Sequence, residues 1–502
     1  MTALIKHDEE NPGQPASLLR DSGRADFGPL KALTEEEIAP FLIRLSDTNR
    51  KFEEAYPGLQ IQRQPVQTLY GGANLYKPGS ARKMADLALQ HVKTYAPDFV
   101  HLARGLNLPG SDSLPQTSNA TRTLQQELES PDAKRSDAWL AYTVYRRMLR
   151  KLETEAVEDH RIDFEDGYGV RDDDEEDGHA ISTASAMAEG MLAGSLPPFV
   201  GIRIKALTEE ARIRSMRTMD LFISTLAKVT GGDLPQPFKI TLPKVTTPEQ
   251  VSVLADYLSL IEKVNGLRVG VLDIELMIET VQSIMTPEGT CAIPALVKAG
   301  QGRVTAAILG TFDYTASCNI SSAYQDHRHP SVDFARHMMQ LSLTGTDVAI
   351  CDGITNIMPI APHRGNELTP AQIEQNRQVV HAAWLAHFNN IMHSLRLGFY
   401  QSWDLNPAQL PVRYAAVYYF FLSGLSDATD RLSTFINQAA QASMVGNTFD
   451  DAASAQGLLN FFIAGVNCGA LTEEEVLATG ITMEELHAKS FLKIVENRTN
   501  GI

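Results

Sequence analysis

Short apolar runs alternate with longer amphipathic stretches through most of this chain. The apolar runs are nearly continuous, which is typical of strands that are buried on both faces of a parallel sheet. They lie at residues 67–76, 162–169, 199–204, 238–242, 269–278, 304–309, 347–350 and 397–403. Stretches with helical periodicity separate them, most clearly at residues 208–229, 248–264, 333–343 and 370–395.

Eight strand-then-helix units predict an α/β fold that closes into a (β/α)8 TIM barrel. A doubly wound open sheet is the alternative, but no Gly-x-Gly-x-x-Gly follows the first strand, which disfavours it. We therefore divide the chain into three parts. They are an N-terminal arm and helix (residues 1–65), a TIM barrel (66–412, with a helical insertion at about 96–155) and a C-terminal helical region (413–502).

Helix-capping patterns mark the segments that flank the barrel. Thr34 and Glu37 form a capping-box pattern, which predicts an amphipathic helix that ends near residue 56. Residues 1–30 are polar and rich in Pro and Gly, and we expect a loosely held arm there. Two further capping boxes, at residues 472–475 and 482–485, predict short helices in the C-terminal region.

Composition narrows the class of protein. The formal net charge of −17 disfavours nucleic acid and anionic membrane as partners. The four cysteines lie far apart with no Cys-x-x-Cys spacing, which fits a reducing cytosol. The N-terminus lacks the apolar core of a signal peptide, and the most apolar run, residues 414–425, is too short to span a bilayer. We therefore expect a soluble cytoplasmic protein.

Charged and polar residues recur where the predicted strands end. In a barrel these ends meet at one mouth, where active sites lie. The residues are Glu165, Asp166, Arg203, Lys205, Lys244, Glu279, Asp313, Asp352, Asp404 and Asn406. Together they predict a cavity with several carboxylates and two or three cations, and oxygen ligands of this kind suit Mg²⁺ or Mn²⁺.

The most acidic of these strand ends lies within residues 160–171. There Glu165 and Asp166 follow an apolar strand and precede a glycine-rich turn. Carboxylates packed this closely repel one another, so a fold keeps them where a metal, an arginine or a shared proton offsets the repulsion. The acidic run that follows, residues 172–177, predicts a solvated loop.

In this order the motifs resemble those of the HpcH/HpaI aldolase and citrate lyase β-subunit superfamily, whose enzymes share the phosphoenolpyruvate/pyruvate TIM barrel. The similarity spans roughly residues 67–412. The matching segments are Tyr-Lys-Pro-Gly-Ser (76–80), Ile-Asp-Phe-Glu-Asp (162–166), Gly-Ile-Arg-Ile-Lys (201–205), Leu-Pro-Lys-Val (242–245), Met-Ile-Glu-Thr (277–280), Leu-Gly-Thr-Phe-Asp-Tyr (309–314), Ala-Ile-Cys-Asp-Gly (349–353) and Leu-Gly-Phe-Tyr-Gln-Ser-Trp-Asp-Leu-Asn-Pro-Ala-Gln (397–409).

The resemblance implies roles for three of the charged residues. Glu279 and Asp313 match the two metal-binding carboxylates of the family, with Mg²⁺ (or Mn²⁺) as the cofactor. Arg203 matches the arginine that grips the carboxylate or carbonyl oxygen of a 2-oxo-acid and stabilises an enolate. Chemistry agrees with these roles, because a carbon–carbon bond beside a carbonyl is made or broken through an enolate, whose oxyanion needs a preorganised cation.

The remaining catalytic candidates are residues that transfer the proton or balance the charge of the carboxylates. Asp166 stands where the family carries a histidine or an aspartate, so it is a candidate general base, or it orients a water with that role. The alternative is that Asp166 only pairs with Arg203. We expect Glu165 to lie behind the residues that contact the ligand. Lys244 either neutralises the carboxylates or contacts the substrate. Glu275 is expected to face the barrel interior as a structural partner.

Several positions depart from the family pattern. Its closing His-Pro is Asn406-Pro407 here, so the role of that histidine is lost or taken by Asp404. A Gly-Tyr-Gly turn at residues 167–169 replaces Ala-Val, which makes Tyr168 a candidate for a substrate contact. The other candidate substrate-binding residues are Arg203, Gly310, Thr311 and Phe312.

Two features leave alternatives open. The loop at residues 326–330 contains His327 and His329, which form either a metal-binding His-x-His or part of an exposed loop. Arg161 and Arg171 flank the central motif, and they either read a second carboxylate or are surface charge.

The sequence predicts a metal-dependent carbon–carbon lyase or aldolase that acts on a small oxo-acid or hydroxy-acid, in the manner of pyruvate or oxaloacetate chemistry, and the resemblance implies a homo-oligomer. One alternative is a malate-synthase-like or acyl-CoA lyase (Claisen-type) reaction, which needs a pocket for an adenine nucleotide. A third hypothesis, of another class, is a non-catalytic metabolite-binding barrel subunit.

Overall fold

A computed structural model provides the structure of this protein. It describes residues 33–58, 63–130, 134–365, 367–437, 443–445, 448–450 and 452–487, together with Ile494 and Arg498. The chain forms two compact units, Met1–Tyr56 and Pro57–Ile502. In the first unit, helix α1 (Glu35–Ala55) begins with the predicted capping box on Thr34. The predicted arm at residues 1–30 lies outside the described residues.

The second unit is built on an eight-stranded parallel sheet. Its strands are β1 (Gln67–Gly72), β2 (Asp159–Asp163), β3 (Phe199–Arg203), β4 (Phe238–Leu242), β5 (Leu272–Ile278), β6 (Val304–Leu309), β7 (Ala349–Cys351) and β8 (Ser402–Asp404). Strand β1 pairs with both β2 and β8, and a single bridge between Asp352 and Ser402 links β7 to β8. The sheet is therefore a nearly closed barrel, which confirms the predicted TIM-type fold.

Helices surround this barrel and follow its strands. They are α2 (Ser80–Tyr95), α3 (Phe99–Gly105), α4 (Ser118–Leu128), α5 (Asp137–Glu155), α6 (Asp173–Leu192), α7 (Arg212–Thr230), α8 (Pro248–Val264), α9 (Val281–Ile284), α10 (Ile293–Ala299), α11 (Thr311–Ser317), α12 (Pro330–Leu343) and α13 (Pro370–Arg396). Helices α3, α4 and α5 form the predicted helical insertion between β1 and β2. None of the described helices is long and apolar enough to cross a membrane.

The C-terminal region is mainly helical where it is described. Its elements are α14 (Leu410–Asn437), β9 (Ser443–Val445), β10 (Thr448–Asp450), α15 (Ala452–Asn467), α16 (Glu473–Leu477) and α17 (Met483–His487). The antiparallel pair β9–β10 was not expected from the sequence pattern. Both predicted capping boxes are present, on Thr472 and on Thr482. Arg147 of α5 pairs with Glu475, which attaches this region to the barrel insertion.

The acidic run at residues 172–177 forms the beginning of α6, so the prediction of a solvated loop is wrong. Carboxylates in the first turn of a helix are stabilised by the positive end of its dipole. Glu176 is buried and pairs with Lys205, whereas Asp177 pairs with Arg214 and Arg217. Cations from the neighbouring β/α unit therefore balance the acidic cluster.

Apolar side chains of the strands pack outward against the helices and form the main core. Ile162, Ile202, Ile240 and Ile274 lie in four successive strands, and all four are fully buried. On α2, the buried positions are Ser80, Ala85, Ala88 and Val92, whereas Leu87 is 39% exposed.

The barrel interior holds a charged layer beneath its mouth. Arg161 of β2 is fully buried and pairs with Asp159 and with Glu275 of β5. Thr241 of β4 donates a further hydrogen bond of 2.7 Å to Glu275. This confirms Glu275 as an interior structural partner. Arg161 is neither surface charge nor a substrate contact, because both carboxylates occupy its guanidinium within the barrel.

Removing one member of this buried layer should cost much of the stability of the barrel. The substitution Glu275→Ala leaves Arg161 with one buried carboxylate partner, and we expect the free energy of unfolding to fall by about 3 kcal/mol. Chemical denaturation measures this change. In the matched control, Glu374→Ala, an exposed pair with Arg377 is removed, and the loss should stay below about 1 kcal/mol. Equal losses in both variants would contradict the role of the buried layer.

Candidate active site

A cavity of about 460 Å³ opens at the C-terminal ends of the barrel strands, and we call it the central cavity. The polar and charged side chains in its wall come from the ends of β1, β2, β3 and β6 and the turns that follow them. Its lining residues are Tyr70, Gly71, Gly72, Leu75, Asp163, Asp166, Gly167, Arg203, Gly310, Thr311, Phe312, Asp313, Ile354, Trp403 and Leu405.

Arg203, the last residue of β3, is held in one orientation by the neighbouring strand. The parallel register places it directly beside Asp163 at the end of β2. Its Nε donates to Oδ1 of Asp163 at 2.7 Å, and its Nη2 donates to Oδ2. The rings of Tyr70 and Trp403 lie over the guanidinium, with centroids at 5.0 and 5.8 Å. Arg203 is only 3% exposed, so it is a preorganised cation in the cavity wall.

Asp163 also organises the turn that follows β2. Its two oxygens accept hydrogen bonds from the backbone N–H groups of Glu165 at 2.9 Å and of Gly167 at 2.7 Å. A Cβ at Gly167 would lie 2.5 Å from Oδ2 of Asp163, so this close approach requires glycine. Asp163 was not among the site residues predicted from the sequence. Its position two residues before Glu165, on the same face of the strand, is the feature that could have identified it.

Lys244 links the predicted carboxylates on both sides of the cavity. Its Nζ pairs with Glu165, lies 3.2 Å from Oδ2 of Asp166 and lies 3.6 Å from Oδ1 of Asp313. Burial opposes its charge, but the negative charge of Glu279 and the contact with Glu165 raise the pKa of Lys244 above its usual value. Lys244 is therefore a permanent cation that balances this cluster.

Asp166 is the carboxylate that most readily meets a ligand. Its side chain is 57% exposed, and its Oδ2 lies 3.9 Å from Nη1 of Arg203. Burial opposes ionisation, but a hydrogen bond with Glu165 and the nearby cations hold the pKa of Asp166 below its usual value. Burial instead raises the pKa of Glu165. Asp166 is thus the ionised, accessible member of the pair.

Glu279 lies at the end of β5, directly beneath the backbone of the turn after β6. Its side chain accepts a hydrogen bond of 2.6 Å from the backbone N–H of Lys244, and it is 1% exposed. A Cβ on Gly310 would lie 2.4 Å from Oε2 of Glu279, so only glycine leaves room for it. Burial and the negative charge of Asp313 raise the pKa of Glu279 to about 8.

The donor set of Glu279 and Asp313 fits a hard divalent cation. Among the described residues, no cluster of three or more His, Cys, Asp or Glu side chains could hold a metal. Two carboxylates are enough for Mg²⁺, which usually keeps several waters and binds through one or two protein carboxylates plus substrate oxygens. A buried carboxyl with a pKa of about 8 is also a group that gains from a nearby cation.

Of the candidate substrate-binding residues, the central cavity brings together Arg203 and Gly310, Thr311 and Phe312. Oγ1 of Thr311 is buried and has no hydrogen-bond partner among the described residues. Tyr168, by contrast, points away from the cavity. It is 3% exposed, and its hydroxyl lies 2.7 Å from Nδ1 of His179. The glycines around it turn the backbone so that the ring packs against α6.

Asp404 does not replace the missing family histidine at the mouth. It is buried, paired with Arg413 through two hydrogen bonds and 3.1 Å from Nε2 of His387. Burial opposes its ionisation, but the charge of Arg413 lowers the pKa of Asp404 to about 2. Asn406 caps the short 3-10 helix Pro407–Gln409. Asp404 therefore connects the end of β8 to α13 and α14, and Asn406 stabilises the short helix that follows β8.

The two histidines of the loop at 326–330 do not form a metal pair. His327 is buried, which excludes the exposed-loop alternative for it, and its Nε2 lies 2.9 Å from Nη2 of Arg336. His329 instead caps α12 by accepting a hydrogen bond from the backbone N–H of Ser331. Asp352, another predicted strand-end residue, is buried against Arg336.

Two further cations named in the sequence analysis also lie outside the cavity wall. Nζ of Lys205 donates to the backbone oxygen of Phe164 at 2.7 Å and pairs with Glu176. Arg171 pairs with Glu175 in the first turn of α6. Neither residue lines the central cavity.

Comparison with known proteins places this geometry among related folds. The family described as Domain of unknown function (DUF6986) matches residues 45–494. No match was found among curated proteins. A citrate lyase from Burkholderia xenovorans LB400 shares 16% identity, covers 67% of this chain and 92% of its own, and superposes with a TM-score of 0.48.

Two further solved structures are similar in the same partial way. Protein CitE from Mycobacterium tuberculosis, in complex with magnesium, acetoacetate and coenzyme A, has 15% identity, coverage of 65% of this chain and 95% of its own, and a TM-score of 0.41. The magnesium/glyoxylate complex of Haloferax volcanii malate synthase has 11% identity, coverage of 86% and 99%, and a TM-score of 0.39.

The raised pKa of Glu279 should make stability depend on pH. Its folded pKa is about 8 against an ordinary value of 4.5, so between these values the folded state holds a proton that the unfolded state has released. The free energy of unfolding of the metal-free protein should therefore fall as the pH rises toward 8. Urea denaturation in EDTA at a series of pH values measures this.

The variant Glu279→Gln is the matched control, because it keeps the shape of the side chain but cannot ionise. Buried histidines such as His327 titrate with the opposite sign below their ordinary pKa of 6.5, so the difference between wild type and variant isolates Glu279. Parallel curves for the two proteins between pH 6.5 and 8 would contradict the assignment.

Proposed function

Because this chain belongs to the DUF6986 family, whose description assigns no activity, we propose its function from the site: a metal-dependent carbon–carbon lyase of the aldolase type. The substrate class is a small oxo-acid or hydroxy-acid. The observation that supports this most strongly is the arrangement of charges in the central cavity. A buried, oriented arginine faces an accessible ionised carboxylate, next to a pair of carboxylates suited to a divalent cation.

Glu279 and Asp313 would hold the metal ion. When bound, a divalent ion supplies Lewis-acid charge beside the oxo and carboxylate oxygens of the substrate. Asp313 is 43% exposed and faces the cavity, whereas Glu279 is buried behind Gly310. Lys244 lies close enough to both carboxylates to limit their mutual repulsion.

Arg203 would bind an anionic oxygen of the substrate. Nε and Nη2 donate to Asp163, whereas Nη1 lies 3.2 Å from Oε2 of Glu165 and 3.9 Å from Sδ of Met277, and we assign Nη1 to the substrate. A substrate carboxylate or a developing enolate oxygen would take this donor with a strong, charge-assisted hydrogen bond. Since the guanidinium is already oriented, little reorganisation accompanies the formation of charge in the transition state.

Asp166 would move the proton. In the cleavage of a 4-hydroxy-2-oxo acid, Asp166 accepts the proton of the 4-hydroxyl, the bond between C3 and C4 breaks, and the electron pair passes to the 2-oxo oxygen as an enolate. Protonation of C3 then completes the 2-oxo-acid product, and the other product is an aldehyde or ketone. The exposure and lowered pKa of Asp166 support this role.

Apolar groups complete the cavity around these charges. Tyr70, Phe312 and Trp403 line it, and the aromatic rings over Arg203 keep bulk water from its faces. In such surroundings, electrostatic stabilisation of an enolate is stronger than in water. The motif order that this chain shares with the aldolase and citrate lyase superfamily supports the same reaction class.

The direct test is turnover with a panel of 4-hydroxy-2-oxo acids and short 3-hydroxy acids. Release of an oxo-acid from the former, or of an aldehyde or ketone from the latter, should require Mg²⁺ or Mn²⁺ and stop on addition of EDTA. Turnover that is equally fast in EDTA would refute the proposal that the reaction depends on a metal ion. The absence of turnover with every member, while Mg²⁺ still binds, would favour a metabolite-binding role instead.

Metal binding should depend on both carboxylates. Glu279→Ala and Asp313→Ala each remove one of only two protein ligands, so calorimetry should detect no Mg²⁺ binding in either variant while circular dichroism stays unchanged. Glu374→Ala, a surface carboxylate, is the control and should bind as wild type does. Undiminished Mg²⁺ affinity in the Glu279 and Asp313 variants would refute the assignment.

Replacing Arg203 by Lys should impair turnover, because lysine cannot keep the two-point contact with Asp163 and still present a donor to substrate. We expect kcat/KM to fall by about 100-fold or more. The control Arg377→Lys changes a surface arginine and should leave kcat/KM unchanged. Near wild-type turnover in Arg203→Lys would show that this side chain does not stabilise the transition state.

A further inference from the structure

A second cavity, of about 300 Å³, lies beside the barrel mouth, and we call it the side cavity. Helix α2 contributes His91 and Tyr95 to its wall, and the segment after β7 contributes Ile360, His363 and Arg364. Asn406, from the segment after β8, completes the polar part. None of these residues has a role in the reaction proposed above.

The side cavity is basic in a strongly acidic protein. Arg364 forms no ion pair or hydrogen bond with the described residues, and no acidic side chain is among the described residues that line the cavity. This contrasts with nearby Arg377, whose guanidinium pairs with Glu374. Arg364 is solvent-exposed, and without a carboxylate partner among the described residues its guanidinium is available to an anion that enters the side cavity.

Other polar groups of the wall also lack partners. Nδ1 of His91 is buried without a hydrogen bond to the described residues. A ligand in the side cavity that offers this nitrogen a hydrogen bond would gain affinity from it. Asn406 uses Oδ1 to accept from the backbone N–H of Ala408 at 2.9 Å, and its Nδ2 is left as a donor. His363 is oriented by a 2.6 Å contact between its Nε2 and Oε1 of Gln375.

The rest of the wall is apolar. The ring of Tyr95 and the side chain of Ile360, which is 46% exposed, offer a surface for a hydrocarbon or planar group. A free cation and unpaired donors beside such a surface suit a ligand with one anionic end and one apolar end. The side cavity is large enough for a group of that size, since ligand pockets start at about 300 Å³.

We propose that the side cavity is a binding site for a phosphate or carboxylate group of a small molecule, with Arg364 as its cation and His91 and Asn406 as further polar contacts. The molecule's apolar part lies against Tyr95 and Ile360. The site is distinct from the central cavity, although consecutive residues, Leu405 and Asn406, line the two. This proposal does not depend on the proposed reaction.

Calorimetric titration of the full-length protein with inorganic phosphate and, separately, with malonate tests the proposal. We expect one of the two anions to bind, and Arg364→Gln to weaken it by at least about tenfold, as loss of a charge-assisted contact predicts. Tighter binding of phosphate would identify a phosphate ester as the ligand class, and tighter binding of malonate would identify a carboxylate. His91→Gln should weaken the same anion.

Two variants serve as controls. Arg377→Gln changes a surface arginine that is already paired, and anion affinity should be unchanged. Arg203→Gln removes the cation of the central cavity, and the anion binding that Arg364→Gln weakens should be retained in it. Absence of binding by both anions would overturn the proposal. So would loss of binding in Arg203→Gln with retention in Arg364→Gln, because the anion would then lie in the central cavity. Neither outcome would contradict the lyase proposal, in which the side cavity has no part.

Discussion

The paired fork of Arg203 and Asp163 is the contact on which the rest of the candidate site depends. The parallel register of β2 and β3 brings the two side chains together, and two hydrogen bonds join them in the cavity wall. The same aspartate accepts two backbone N–H groups and so shapes the turn that carries Glu165 and Asp166. One buried carboxylate therefore sets the orientation of the cation and the position of the candidate base.

A second layer of buried, paired charges lies below the mouth of the barrel. Arg161, Asp159 and Glu275 are fully buried and paired across the strands. Burying ions is costly unless partners and hydrogen bonds satisfy them, and here Thr68 and Thr241 supply the additional bonds. The barrel interior below the mouth is thus polar, and its buried charges have hydrogen-bond and ion-pair partners.

Positive charge is distributed unevenly among the carboxylates at the mouth of the barrel. Lys244 pairs with Glu165 and lies near Asp166 and Asp313, and its backbone N–H donates to Glu279, but burial and the charge of Asp313 still raise the pKa of Glu279 to about 8. The protein thus leaves one buried carboxylate short of positive charge, next to an exposed one. This is the electrostatic condition under which a divalent cation binds with advantage.

The barrel and most of the charged residues at its mouth could be predicted from the sequence, because periodicity and strand-end chemistry are local properties of the chain. Contacts between distant segments fix which of these charges face the cavity. Asp404 pairs with the buried Arg413, and Asp352 pairs with the buried Arg336. The hydroxyl of Tyr168 contacts His179, and Asp163 pairs with Arg203. Such pairings join residues that are far apart along the chain, so they cannot be predicted from the spacing of residues within a motif.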